Sequence, residues 1–215
     1  MKKQLLIVII FSLLYGNKTY CQPFEKTSGK VKTIIEKCYN AVDVFGEIKK
    51  TTLIYKHVNL YNLNSKIIET NRYNENDVLT YKDIYKYDDN GNLIESNLYK
   101  PDGSLDCKVI YKYDEKGVVT GNSWYYNTGK LGSITLFKYN VNEKVIVEEY
   151  YKADGSLLYT TTHKYNDKGF IIESKGKDSS SNNIDVYDNT GNWIKRTRFS
   201  NLIPLFLWER EISYY

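Results

Sequence analysis

The chain has 215 residues, 41% of them apolar and 26% charged, with a formal net charge of +4. That is the composition of a folded globular protein, neither disordered nor collagen-like, and long enough for one large domain or two small ones. With 22 Tyr against one Met, two His and three Cys, it favours strands over helices and leaves little material for metal or nucleophilic chemistry.

Lys2 and Lys3 precede an apolar run from Leu5 to Tyr15, interrupted at Ser12. The run is too short to cross a bilayer, which takes about 20 residues, and reads as a secretory signal peptide over residues 1–21. Thr19 and Cys21 fit the positions that precede a cleavage before Gln22. The alternative is lipidation of Cys21, but Lys18 and Tyr20 stand where a lipobox wants an aliphatic and a small residue. No later apolar stretch is long enough to provide a transmembrane segment in the mature chain. Cleavage removes Lys2, Lys3 and Lys18 and takes the net charge from +4 to +1, so charge gives no support for a nucleic-acid partner. The expected location is outside the cytoplasm of a bacterium, periplasmic, at the cell surface or extracellular. Such a compartment permits disulfides. Several expected strands lie between Cys38 and Cys107, and strands spaced about 4.8 Å apart put the pair beyond disulfide reach unless the sheet curls back, so two separate thiols are expected.

From residue 61 onward the sequence repeats. Tyr61, Tyr73, Tyr87, Tyr99, Tyr113, Tyr125, Tyr139, Tyr151 and Tyr165 are spaced alternately by 12 and 14 residues, which defines a 26-residue module in two halves. The series continues through Lys177, Tyr187 and Phe199. Six residues after each anchor stands an apolar residue, from Ile67 and Leu79 to Trp193 and Leu205, broken at Asn183. Four residues after the anchor stands Gly in seven cases: Gly91, Gly103, Gly117, Gly129, Gly155, Gly169 and Gly191. Asp, Asn or Lys after the Tyr starts a turn, Gly supplies the positive φ that closes it, and Tyr and the aliphatic residue flank the loop as a cross-strand pair. The fold class predicted is all-β: an antiparallel meander of repeated β-hairpins, roughly thirteen strands with two more from Val31–Val42 and Glu47–Tyr61, forming one large curved sheet. The organisation predicted is a signal peptide at 1–21, N-terminal capping strands at 22–60, hairpin repeats at 61–199 and a C-terminal closing strand at 200–215. Because every regular step is even, odd-numbered residues from about 61 to 175 are expected on one face.

The runs Tyr87-Asp88-Asp89-Asn90-Gly91-Asn92-Leu93, Pro101-Asp102-Gly103-Ser104-Leu105 and Tyr187-Asp188-Asn189-Thr190-Gly191-Asn192-Trp193 resemble the YD repeats of the Rhs family. Tyr125-Tyr126-Asn127-Thr128-Gly129-Lys130-Leu131 and Tyr151-Lys152-Ala153-Asp154-Gly155-Ser156-Leu157 are similar to MORN-type repeats, which include small bacterial proteins labelled antitoxin-like. The first resemblance implies an extracytoplasmic β-repeat wall that binds or encloses something. Here the modules are longer than a YD unit and no toxin tail follows, so a toxin-delivery role is not implied.

Candidate sites are few. Lys86, Lys112, Lys138 and Lys164 form a column, one per module, that could track a polyanion or simply keep a strand end soluble. Trp124, Tyr126 and Tyr150 could form a stacking platform for a sugar or a protein, or belong to the core. His163 is expected opposite Glu173, as an acid–base pair or as one more ring in the column of Tyr85, Tyr111 and Phe137. Asp88-Asp89-Asn90-Gly91-Asn92 suits a turn better than a calcium loop. No catalytic set, metal site or cofactor is predicted, and the chain is expected not to be an enzyme. The function expected is an exported binding or scaffold module of the cell envelope, with a protein, a glycan or an envelope polymer as partner. The alternative is an antitoxin- or immunity-like protein that binds one toxin.

Overall fold

Each Tyr-x-x-x-Gly-x-aliphatic unit folds as the hairpin turn its spacing predicts. In the turn after Tyr87 the Gly91 N–H donates to the Asp88 carbonyl and the Asp88 N–H to the Asn92 carbonyl, both at 2.9 Å, while the Asp88 carboxylate accepts the Asn92 N–H at 2.7 Å. The six described glycines of the column have φ between 76° and 87°. Where Gly is replaced the backbone keeps the same left-handed geometry: Ser65, Asp77 and Glu143 have φ of 55°, 62° and 60°. For a residue with a Cβ this costs roughly 1–2 kcal/mol. Glu143→Gly should therefore raise stability by about 1 kcal/mol, and Gly117→Ala should lower it by a similar amount, read as opposite shifts of the denaturant midpoint. Shifts of the same sign would show that the turn does not impose this geometry.

The computed structural model describes residues 27–167, 171–176, 180–200 and 202–215. The signal peptide, Cys21, Gly169 and Lys177 lie outside the described residues. The described chain is a meander of fourteen strands: β1 (Val31–Val44), β2 (Glu47–Tyr61), β3 (Ile67–Asn74), β4 (Leu79–Tyr87), β5 (Leu93–Tyr99), β6 (Leu105–Tyr113), β7 (Val119–Tyr126), β8 (Leu131–Tyr139), β9 (Val145–Lys152), β10 (Leu157–Tyr165), β11 (Ile171–Lys175), β12 (Ser180–Tyr187), β13 (Trp193–Ser200) and β14 (Ile203–Tyr214). The repeat count overshoots by one because the strand that ends at Tyr61 is Glu47–Tyr61 itself. Sequence neighbours pair antiparallel throughout, and β14 returns to pair with β1, so the sheet closes into a barrel. Ile34 sits between Ile212 on β14 and Asn59 on β2. Closure leaves no sheet edge to cover along the paired length.

The expected division into odd and even faces is wrong, and the register shows why. Tyr87 pairs with Leu93, but Lys86 pairs with Glu95, so one residue is bulged out beside the hairpin. The same irregularity follows the other described Tyr–aliphatic pairs, as at Tyr99–Leu105, Tyr113–Val119 and Tyr125–Leu131. A bulge adds one residue to one strand and turns the side chains after it to the other face. An even step in sequence thus becomes an odd step in the sheet. Tyr61, Tyr87, Tyr113, Tyr139 and Tyr165 point into the barrel, whereas Tyr73, Tyr99, Tyr125 and Tyr151 point out.

This alternation makes the two ends of the barrel unlike. At one end the inward tyrosines donate their hydroxyls to backbone carbonyls of the neighbouring hairpin: Tyr87 to Ile67 and Tyr113 to Leu93 at 2.7 Å, Tyr139 to Val119 and Tyr165 to Val145 at 2.6 Å. Their aliphatic partners Ile67, Leu93, Val119 and Val145 are buried, with Trp193 and Val31 completing the plug. Residues 27–30 lace across the same end. Ser28 N–H donates to the Asn192 side chain at 2.7 Å, and the Ser65 hydroxyl donates to the Gly29 carbonyl at 3.1 Å. At the other end the Tyr–aliphatic pairs lie outside, where cations cover Tyr73 (Lys56, 4.3 Å) and Tyr125 (Lys108, 5.7 Å). That end is not plugged by its own repeat.

Candidate functional site

The column Lys86, Lys112, Lys138 and Lys164 is on the outer face, at the plugged end. Lys86 pairs with Glu95 at 2.6 Å and Lys164 with Glu173 at 2.7 Å, and Lys138 meets Glu149. Lys112 differs because Gly121 occupies the paired position on β7. Three of the four are thus half of a surface ion pair, a contact that solvent and salt screen. Isoleucines and leucines such as Ile94 and Leu136 are interspersed with these pairs.

Trp124, Tyr126 and Tyr150 face the other way, into the barrel. The expectation that lysines and aromatics share one face therefore fails, for the bulge reason given above. Trp124 and Tyr126 meet edge to face with centroids 4.4 Å apart, over Gly132, where a side chain would run into the Trp124 ring. Tyr150 is buried, stacked on Tyr159 at 4.3 Å. The structure thus places all three on the unplugged half of the inner wall, on β7 and β9.

The inner wall is unusually polar, and its polar groups form local clamps. Arg72 forks onto Asp83 at 2.7 and 3.0 Å. Arg196 forks onto Asp185 at 2.8 and 2.7 Å, and Arg210 reaches Glu36 at 2.9 and 2.8 Å. His163 is not opposite Glu173, which the bulge before Tyr165 moves to Lys164, but opposite Ser174. Its Nδ1 is 2.9 Å from the Ser174 hydroxyl and its Nε2 is 3.1 Å from the Glu148 carboxylate, which also takes the Tyr150 hydroxyl. Serine, histidine and carboxylate in a row resemble a nucleophile–base–orienter set. Here, however, the His163 and Glu148 side chains are sealed from solvent, so the row acts as a clamp across β9, β10 and β11. His163 also fills the inward ring of Tyr85, Tyr111 and Phe137, as the column predicts.

Between the Arg72–Asp83 and His163–Glu148 clamps, on β5, β7 and β8, Ser96 Oγ, Asn122 Oδ1 and Thr135 Oγ1 are buried with no hydrogen-bond partner among the described residues. The unplugged half also holds two buried thiols. Burial pushes Cys38 up to about 12 and Cys107 up to about 11. Both cysteines are free, as their separation predicts. Among the described residues no group of three or more His, Cys, Asp or Glu is placed to hold a metal ion, and no helix is long and apolar enough to cross a membrane.

His57 lies on the inner wall against Tyr55, with ring centroids 4.3 Å apart. Burial, and then the Arg72 charge, hold its imidazole well below the usual range. The folded chain therefore binds fewer protons here than the unfolded chain, so the stabilisation is present above about pH 6.5 and is lost as pH falls below it. Between about pH 6.5 and 5, above the carboxylate range, the denaturant midpoint should drop for the native chain and drop less for His57→Phe. Equal slopes would show that His57 is not held neutral.

Sequence reasoning missed Asn122, Glu148 and Ser174 because it put the even-numbered residues of β7, β9 and β11 on the face opposite Tyr111, Phe137 and His163. Aliphatic doublets at the bulges (Ile67-Ile68, Leu93-Ile94, Val145-Ile146, Ile171-Ile172) were the available signal: one member points in and the next out.

No protein-family model and no curated protein sequence matches the chain. Among solved structures, a porin-like protein from Bacteroides uniformis is similar at TM-score 0.53 and 11% identity, with 87% of this chain and 98% of that chain covered. At that identity the likeness is one of fold. A DUF1329 family protein from Desulfovibrio piger aligns over 86% of each chain at 9% identity and TM-score 0.32, a likeness too loose to add to it.

Proposed function

We propose that this chain is an exported, non-enzymatic binding module of the bacterial envelope, whose barrel takes an apolar ligand or segment through its unplugged end. One observation carries the reading. Tyr126, an inward ring at the rim of the unplugged end, is 37% exposed, whereas Tyr150 and Tyr111, deeper on the same wall, are 4% and 7% exposed. A barrel of fourteen strands is wider than the eight-stranded kind that its own side chains fill. The wall at the unplugged end carries the paired rings of Trp124 and Tyr126, Tyr150 and Tyr159, and Phe206 and Trp208, apolar faces of the kind that line a ligand site. The outer face alternates charged pairs with aliphatic residues, whereas a lipid-spanning barrel presents an apolar band. Export follows from the N-terminal apolar run, and an enclosing wall is what the likeness to YD repeats implies.

The neutral dye N-phenyl-1-naphthylamine tests this with the mature chain. It should bind with enhanced fluorescence at about one site per chain, and Ser133→Trp, inward on β8, should abolish binding. Leu136→Trp, outward on the same strand, should not. No binding by the native chain, or equal loss in both variants, would contradict the reading.

A further inference from the structure

Four staves, β12, β13, β14 and β1, bring three guanidiniums to one stretch of inner wall. Two of them are fully engaged: Arg196 by Asp185 and Arg210 by Glu36, with both also lying on the Trp193 ring at 4.4 and 3.3 Å. Arg198 is the third. It is two residues from the end of β13 at the unplugged end, between Asn183 on β12 and Phe206 on β14. Its hydrogen bond is one long contact, Nε–H to the Asn183 side-chain Oδ1 at 3.5 Å, and its guanidinium lies 5.3 Å from the Trp208 ring centre. Among the described residues no carboxylate forms an ion pair with it.

We propose that the barrel binds an anionic amphiphile, a carboxylate carried on an apolar body, with the carboxylate on the Arg198 guanidinium and the body against Phe206 and Trp208. The proposal rests on the reading of the barrel as a ligand chamber and names the chemistry of its ligand. A half-buried guanidinium without a counter-charge is costly, and a planar fork suits a carboxylate with two parallel hydrogen bonds. Burial and the Arg196 charge both disfavour the cation at Arg198. A bound anion would reverse that.

The surrounding wall argues for an apolar rather than a sugar-like body. The Trp208 Nε1–H is already given to the Tyr55 hydroxyl at 2.8 Å, so the indole offers an apolar face. Asp185 and Glu36 are taken by Arg196 and Arg210, and the Asn183 oxygen is turned to Arg198. A hydroxyl-rich ligand would find few partners on this stretch, whereas an alkyl or aryl body needs none.

The test is displacement of N-phenyl-1-naphthylamine from the mature chain by dodecanoate and by 1-dodecanol, which share a tail and differ in charge. The native chain should prefer dodecanoate by about tenfold or more, in line with a charge-assisted hydrogen-bonded contact. Arg198→Met should remove that preference and leave dodecanol displacement unchanged. It should also raise the melting temperature of the ligand-free chain, since it removes an unpaired charge. Equal displacement by the two in the native chain overturns the inference and needs no variant. So does a preference that survives in Arg198→Met. In both cases the chamber still binds its dye, so the functional reading stands. Failure of the dye itself to bind overturns that reading and this inference with it.

Discussion

Tyr113→Ala should lower the stability of the chain by roughly 3 kcal/mol, the low end of the range for loss of a core aromatic ring because Tyr113 is half-buried. Its ring packs on the inner cluster that contains Val109, Tyr111 and Val119, and its hydroxyl donates to the Leu93 carbonyl at 2.7 Å. Burial, followed by the Asp88 charge, pushes its phenol up to about 12, so the donor is intact at neutral pH. Tyr113→Phe keeps the ring and should cost about 1 kcal/mol, the usual net worth of one hydrogen bond. Tyr125→Ala, half a module later, removes an outward ring whose one recorded cation contact is Lys108, and should cost less than about 1 kcal/mol. Denaturant midpoints of the three variants test the alternation itself. Equal losses at Tyr113 and Tyr125 would mean that the two rings share a face.

Asp83→Ala should be as damaging or worse, at roughly 3–5 kcal/mol, for a different reason. Asp83 has no exposed surface and both of its oxygens are held by Arg72, so truncation leaves a guanidinium buried beside His57 without its counter-ion. Removing both charges should undo much of that loss, because the desolvation cost of the pair disappears along with its attraction. Arg72→Met with Asp83→Leu is therefore expected to be more stable than Asp83→Ala alone. A double variant as unstable as Asp83→Ala would show that the pair contributes more than the cost of burying it. The same logic predicts that Thr135→Val, which deletes a buried hydroxyl without a partner, is neutral or mildly stabilising.

The turns were legible in the sequence because their chemistry is local. Gly at four residues after the anchor and Asp or Asn just after it can do little else at those spacings, and the hairpins fall where the column puts them. Ser65, Asp77 and Glu143 interrupt the Gly column but not the geometry, because neighbouring strands impose the turn on them. Closure was not legible. It depends on the pairing of Ile34 with Ile212, 178 positions away, and no local signal specifies a partner that distant. The inner wall was not legible either, since face assignment from an even spacing assumes an unbroken pleat. One extra residue at each hairpin, at Ile68, Ile94 or Thr120, reverses the assignment of the whole strand that follows. That is how Lys86 came to share a predicted face with Trp124, and how Glu173 was given to His163 in place of Ser174.

The central claim is that one face of the sheet lines a closed barrel, sealed at one end and reachable at the other. Thiol labelling with a water-soluble maleimide tests it most directly, because the native background is quiet: Cys38 and Cys107 are buried, with thiols pushed up to about 12 and 11. Thr135→Cys and Leu136→Cys place a thiol at adjacent positions of β8, one fully buried inside and one 41% exposed outside. Tyr126→Cys places a third on the inner wall at the unplugged end. The account predicts rapid labelling at 136, slower but complete labelling at 126, and labelling at 135 only on unfolding. Equal rates at 135 and 136 would contradict it, since they would mean that both faces of the sheet are open to water.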